Sequence, residues 1–274
     1  MNSKIVFGSY VPVKSILHRL DPRIKLIMCI IYVILIFFVN NFLAAIWLLL
    51  ALLAAIKLSN VGLRKYWQGI KPLFLIILIT VAFQILFSSG GKMYWHWGIM
   101  AITRDGLINS LIIFYRFIVI ITASTVLTAT TQTFQIADAL AWLMKPLQII
   151  KVPVNQITLM LSIALRFVPT IMDETNKIMK AQRARGINFN AGNLLTRIKH
   201  LVPILIPLFV NSFKRAEELA TAMEARGYDP NAPRTHYRQL VWHKNDAWAG
   251  LALLIVTVGL VCIRIFFLIP EMSI

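Results

Sequence analysis

The sequence predicts an all-α polytopic membrane protein: about five transmembrane helices, with a cytoplasmic region of long amphipathic helices ahead of the last one. Three observations carry this. The 274 residues are 58% hydrophobic and only 14% charged, with mean hydropathy +0.73, far more apolar than a soluble domain of that length. Apolar runs approaching the length that crosses a bilayer fall at 24–39, 42–56, 70–88, 107–130 and 247–269. Between the fourth and fifth runs, residues 131–246 combine helical apolar periodicity with recurrent charge, and the tripeptide Ala-Arg-Gly occurs there twice.

The first two runs are short and divided only by Asn40 and Asn41, so they read as a tight helical hairpin. The first twenty residues are polar and lack a small-residue cleavage pattern, so no secretory signal is expected. The formal charge of +17 orients the chain in a lipid bilayer and does not call for nucleic acid, because the basic residues gather in the segments on one side of the runs. Lys4, Lys14, Arg19 and Arg23 precede the first run; Lys57, Arg64 and Lys65 separate the second and third; the long basic segment separates the fourth and fifth. The opposite side holds Asn40 and Asn41, then Lys92 and Arg104 against Asp105, and finally Glu271. By the positive-inside rule the N-terminus is cytoplasmic and the C-terminus outside the plasma membrane. Tyr94, Trp95 and Trp97 then fall in an external loop at interfacial depth. Basic residues near the inner ends also suit anionic lipid. Cys29 and Cys262 lie inside separate runs, toward opposite faces, and read as small apolar residues with no disulfide between them.

The expected organisation is 1–130 for the N-terminal segment and transmembrane helices 1–4, 131–246 for the cytoplasmic region, and 247–274 for the final transmembrane helix. Within 131–246 three helices fit. The first covers 135–150 and is closed by Lys151, Val152 and Pro153. From Val154 the apolar residues Ile157, Leu161, Leu165, Val168 and Met172 keep helical spacing up to Gly186. From Leu194 a similar pattern through Ile198, Leu201, Leu205, Leu208 and Phe209 runs to Gly227. Each of the two long helices has about thirty residues, or roughly 45 Å. Pro169 should bend the first, and Pro203 and Pro207 the second. Both could be read as two further spans, since 202–210 is strongly apolar. The charges recurring within each favour the inner membrane surface instead.

The two copies align over ten residues, 181–190 against 222–231, as small-x-x-Ala-Arg-Gly-apolar-Asn/Asp-x-Asn. In each copy glycine falls where the periodicity stops, the place of a left-handed helix cap, which puts Arg185 and Arg226 in the last helical turn. An arginine there can complement the carbonyl end of its own helix or reach carboxylates on a partner, for which its forked guanidinium is better shaped than lysine. Two copies in matching frames, each with a small Ala184 or Ala225 beside the arginine, favour docking. Arg183 makes the first copy strongly basic while Glu224 leaves the second nearly neutral, so the docking surfaces facing them should differ.

These motifs, the stretch Leu17-His18-Arg19-Leu20-Asp21-Pro22-Arg23-Ile24-Lys25-Leu26, and Ala164-Leu165-Arg166-Phe167-Val168-Pro169 resemble the transmembrane T component of energy-coupling factor (ECF) vitamin transporters. The similarity runs in order over essentially the whole chain. It implies that 131–246 holds long coupling helices whose motifs, Ala184, Arg185, Gly186 and Ala225, Arg226, Gly227, contact two ABC-type ATPase subunits. It also implies that another face holds an exchangeable substrate-binding S component. On this reading the chain is no enzyme and binds no cofactor; ATP hydrolysis belongs to its partners.

Other signals weigh less. Ser88-Ser89-Gly90-Gly91-Lys92 lacks a phosphate loop's first glycine, because the required position is Leu86. His18, His96, His200, His236 and His243 have no metal-ligand spacing, and no metal is expected. Met160, Met172, Met179 and Met223 suit either a repacking surface or ordinary core filling. A proton- or ion-coupled secondary transporter is the alternative reading, but such a carrier relays ions through charges inside its spans. None of the five apolar runs contains Asp or Glu, and Arg116 is the one charge well inside a run, suited to pairing with polar groups of the bundle. Arg264, near the outer end of the last run, can snorkel. A noncatalytic membrane scaffold is the third reading.

Overall fold

The computed structural model of the chain describes residues 10–39, 41–88, 90, 93–97, 100–189, 191, 193–229 and 242–268. Lys4, Asn40, Ser89, Gly91, Lys92, Asn190, Pro230, Asn231, His236 and Glu271, invoked above, lie outside the described residues. The elements in chain order are α1 (Ile16–Arg19), α2 (Pro22–Phe37), α3 (Phe42–Ser59), α4 (Leu63–Phe87), β1 (Met93–Trp97), β2 (Met100–Thr103), α5 (Arg104–Thr130), α6 (Thr133–Leu143), a 3-10 turn (Lys145–Ile150), α7 (Val154–Ala184), α8 (Leu194–Ala225) and α9 (Lys244–Leu268). The chain is an all-α polytopic membrane protein. Packing divides it into two units: Met1–Leu143 with Leu240–Ile274, and Met144–Gln239.

Among the described residues five helices are long and apolar enough to cross a membrane: α3, α4, α5, α7 and α9. Four of them match predicted spans. The predicted first span, 24–39, forms α2, whose 16 residues extend about 24 Å, a short crossing that apolar Phe38 and Val39 prolong. The fifth helix that qualifies is α7, through its apolar first half; length and composition alone qualify it, and its recurrent charges are those that favour the membrane surface. The expected helix over 135–150 is also broken. Pro146 cannot continue an α-helix, so α6 ends at Leu143 and the chain passes into the 3-10 turn. Helix α6 packs with α2 in the first unit, where the Arg23 guanidinium lies 5.2 Å from the Trp142 ring centroid. The external loop expected near 88–106 contains an antiparallel hairpin pairing Met93 with Thr103 and Trp97 with Met100. Residues 93–103 are rich in aromatic and β-branched types, but no period-two alternation marks the strands.

Local chemistry sets the helix ends. Asp21 caps α2 by accepting the Arg23 N–H at 2.8 Å, with Pro22 in the first helical position. Asn60, at φ 53°, ends α3 in the left-handed conformation. Thr103 caps α5 by accepting the Gly106 N–H at 3.1 Å, and its own hydroxyl donates to Ser88 O at the end of α4. The core of the first unit forms where α3 lays Ala44, Leu48 and Leu52, four residues apart, against Ile36 of α2 and Val119 and Val126 of α5. Helix α9 reaches α3 through Gly259, where an added Cβ would sit 2.8 Å from the Trp47 ring, and the Trp47 indole donates to Val256 O at 3.1 Å. Small residues allow such close backbone approach between apolar helices.

Three charges are buried at one end of this unit: Asp21, Lys25 and Asp246. The Asp246 carboxylate accepts the backbone N–H of Asp21 at 2.8 Å and of His243 at 2.7 Å, binding the first turn of α9 to the entrance of α2. Lys25 Nζ donates to Thr130 O at 3.2 Å, the end of α5, and to His18 O at 3.4 Å. Asp246→Ala should lower the stability of the purified protein by about 3 kcal/mol, because one buried and one part-buried N–H group lose their acceptor. Asp246→Asn keeps one acceptor oxygen and should lose less. Equal melting temperatures for wild type and the alanine variant in detergent would contradict this account.

Candidate functional site

The second unit presents both predicted motifs, and their local geometry is the same. Arg185 and Arg226 are the C-cap residues of α7 and α8, at φ −81° and −91° with ψ near zero. Gly186 and Gly227 follow at φ 90° and 70°. In the first copy the Ile187 N–H donates to Gln182 O at 3.1 Å and the Gly186 N–H to Arg183 O at 3.0 Å. In the second copy the Tyr228 N–H donates to Met223 O at 3.0 Å and the Gly227 N–H to Glu224 O at 2.9 Å. Both are Schellman closures, in which the backbone itself satisfies carbonyls that a helix end leaves open.

That closure bears on the arginines. With these carbonyls already taken, neither side chain is needed to cap its own helix. Both arginines are exposed, as are Ala184 and Ala225, and neither guanidinium makes a hydrogen bond or ion pair among the described residues. Around the first copy Arg183 adds positive charge, its guanidinium 5.9 Å from the Phe189 ring centroid, whereas Glu224 stands exposed in the second. The surroundings of the motifs therefore differ in charge while their backbones match.

Helices α7 and α8 pack antiparallel. Gln182 donates to Pro203 O at 3.5 Å, and Glu174 accepts from Asn211 and pairs with Arg215 at 3.2 Å. Farther along, Ile163 and Phe167 of α7 line one cleft with Leu219 and Met223 of α8. The two arginines thus stand at opposite ends of the helix pair. Packing is uneven: Ile204 and Gln182 are buried near the first motif, whereas the cleft toward the second motif has a volume of about 240 Å³. The outer side of α8 exposes Leu195, Ile198, Ile206, Phe209 and Phe213, a continuous apolar stripe. Sequence periodicity missed the Glu174–Arg215 pair, because it finds faces of single helices and not the register between two.

In the first unit, Arg116 meets the expectation of a polar partner inside the bundle. Its Nη2 donates to Val39 O at 2.9 Å and Phe37 O at 3.4 Å, the open carbonyls where α2 stops. Arg264 reaches the same turn, its guanidinium 5.4 Å from the Phe38 ring centroid. Cys29 and Cys262 are both free thiols.

Fold and site define a multi-pass membrane subunit whose polar end-groups sit on a pair of long packed helices. Comparison with known proteins agrees. The family described as CbiQ, cobalt transport protein, matches residues 13–237. The energy-coupling factor transporter transmembrane protein EcfT of Limosilactobacillus fermentum is 58% identical over 258 residues, 94% of this chain and 97% of that protein. EcfT of Lacticaseibacillus paracasei is 49% identical, covering 95% of this chain and 99% of its own, and EcfT 1 of Listeria monocytogenes is 47% identical, covering 96% and 99%. The chain belongs to this family of energy-coupling factor transmembrane proteins.

The caps make a prediction of their own. No atom lies within 4 Å of an added Cβ at Gly186 or Gly227, so alanine there meets only backbone strain, about 1 to 2 kcal/mol for a left-handed residue. Gly186→Ala should raise amide hydrogen exchange at Ile187 and in the last turn of α7 roughly tenfold, and Gly227→Ala should do the same at Tyr228. Unchanged exchange in both would remove the glycine cap as the reason for these motifs.

Proposed function

We propose that this chain is the transmembrane coupling subunit of an ECF-type importer for a vitamin or another micronutrient. It transmits ATP-driven motion from two ABC-type ATPases to a substrate-binding S component. The observation that carries this is the pair of matching helix caps, each presenting an exposed guanidinium with no carboxylate of its own. A cation held on a closed helix end is suited to a partner's carboxylate, where a charge-assisted hydrogen bond contributes about 1.5 to 3 kcal/mol. The chain's own role is noncatalytic. Selection of the substrate falls to the S component, for which the apolar stripe of α8 offers a surface.

The difference between Arg183 and Glu224 supports two different ATPases, each complementary to one motif. Arg185→Glu and Arg226→Glu should each abolish transport without impairing membrane insertion, and the double variant should copurify little ATPase. Cysteines at Ala181 and Ala222, one turn before the motifs, should crosslink to different ATPases. Full transport in the double variant sinks the docking role. Equal crosslinking of both positions to one ATPase sinks the pairing by charge.

The basic-residue asymmetry supports a cytoplasmic N-terminus in a bacterial plasma membrane, with α7 and α8 at the inner surface and the 93–103 hairpin outside. In a variant lacking Cys29 and Cys262, an impermeant thiol reagent applied to intact cells should label a cysteine at Tyr94 and spare one at Asn193. Labelling at Asn193 and not at Tyr94 would reverse the orientation.

A further inference from the structure

The motif repeat has a fixed offset: Arg226 follows Arg185 by 41 residues. The same offset carries Glu174 onto Arg215, and these two residues form the ion pair, at 3.2 Å, that joins α7 to α8. It also carries Ile171 onto Ser212, and both line the same cleft. Residues that are copies of each other in the repeat therefore meet in space. Any antiparallel pair built from a repeat has one such point, about which the two elements are related by a local two-fold axis, and in this chain an ion pair occupies it. Contacts on either side agree. Gln182 meets Pro203 on one arm, and the offset moves that pair to Met223 and Ser162 on the other, where Met223 and Ile163 share the cleft.

The geometry points to Glu174 and Arg215 as a positioning pair, which fixes the register of α7 against α8 and so the spacing and common side of Arg185 and Arg226. Each arginine lies eleven residues beyond its member of the pair, an arm of about 16 Å, which sets the two caps about 33 Å apart along the helix axes. A two-fold axis relating antiparallel helices runs perpendicular to the plane of the pair. Equivalent positions on the two helices consequently face the same side of it, and the two caps address partners related by the same axis.

Charge explains why the two copies differ here. On a true two-fold axis a residue meets its own copy, and Glu against Glu or Arg against Arg would repel. The two copies lie in one chain, so the axis position can carry opposite charges. The ion pair is partly exposed, with side-chain accessibilities of 36% and 18%, so its contribution to stability is small. Its effect is on register: the native alignment joins opposite charges, and Asn211 adds a hydrogen bond to the same carboxylate.

This inference rests on the docking role of the arginines only for its consequence in transport; register is measurable without it. Spin labels on cysteines at Ala181 and Ala222, which are both exposed and equidistant from the pair, report the separation of the arms by double electron–electron resonance. The protein is the purified full chain lacking Cys29 and Cys262. Glu174→Arg and Arg215→Glu should each broaden the distance distribution or shift it by about one helical turn, 5.4 Å. The charge-swapped double variant should restore the wild-type distance and transport together. Wild-type distances in both single variants overturn the proposal, as does a swapped variant whose distance stays altered. If the single variants fail to accumulate, the swapped variant alone decides, by the same distance. Altered distances with full transport would leave the positioning pair in place and count against the docking role proposed above.

Discussion

A peptide group in hydrocarbon has no water to turn to, so every backbone N–H and C=O within a membrane must find its partner inside the protein. Helices satisfy this along their length and fail at their ends. Much of the specific chemistry in this chain is placed at such ends. Asp21 and Thr103 take the first N–H groups of α2 and α5, and Asp246 takes those at the junction of α2 and α9. The case of α2 shows the constraint most directly. It stops after 16 residues, and its open carbonyls are met by Arg116, a cation in the middle of α5. A charge inside an apolar helix is tolerated because it faces the negative end of another helix. An ion-relay role for Arg116 is not needed to explain its position.

The same end problem has a second solution in α7 and α8. Their last carbonyls are closed by the backbone, through a left-handed glycine, and no side chain is consumed. The residue just before that glycine is then free to be chosen for something else. In both copies it is arginine, exposed and unpaired among the described residues. Closing a helix with glycine and leaving arginine outward frees the guanidinium from holding its own helix, which is what the docking role proposed above requires.

What the sequence displays follows from the range of the forces involved. Apolar composition and charge asymmetry act residue by residue, and four spans with their approximate limits are legible from them. The glycine caps are equally local, and the left-handed conformation at Gly186 and Gly227 follows from the tripeptide and the end of the periodicity. The short length of α2 is legible too, since the run 24–39 is itself short; its shift by two residues is hidden, because the helix opens at Pro22 and apolar Phe38 and Val39 prolong the run past its end. The break at Pro146 is legible, since proline forbids the next turn. The 93–103 hairpin is hidden for a different reason: strand pairing depends on a partner segment, which periodicity over one segment does not reveal. The Glu174–Arg215 pair belongs to the same class. Each residue alone is an ordinary charge on an amphipathic helix, and only the antiparallel register makes them neighbours.

The repeat is matched in backbone and unmatched in packing, and this difference is itself informative. Offset by 41 residues, buried Ile204 on the first arm corresponds to Ile163 on the second, which lines an open cleft of about 240 Å³. Unfilled apolar space forfeits dispersion contacts that a close-packed arm retains. The second arm is therefore held less tightly across the helix pair, and small rearrangements of Phe167, Leu219 and Met223 cost less there than their counterparts on the first arm. Met223 belongs to both features, since it lines the cleft and its carbonyl accepts the Tyr228 N–H that closes the second cap. On the first arm the matching residue is Gln182, which is buried and bonded to Pro203. Two arginines on like caps thus stand on arms of unequal packing, one beside a buried glutamine and the other beside an open cleft.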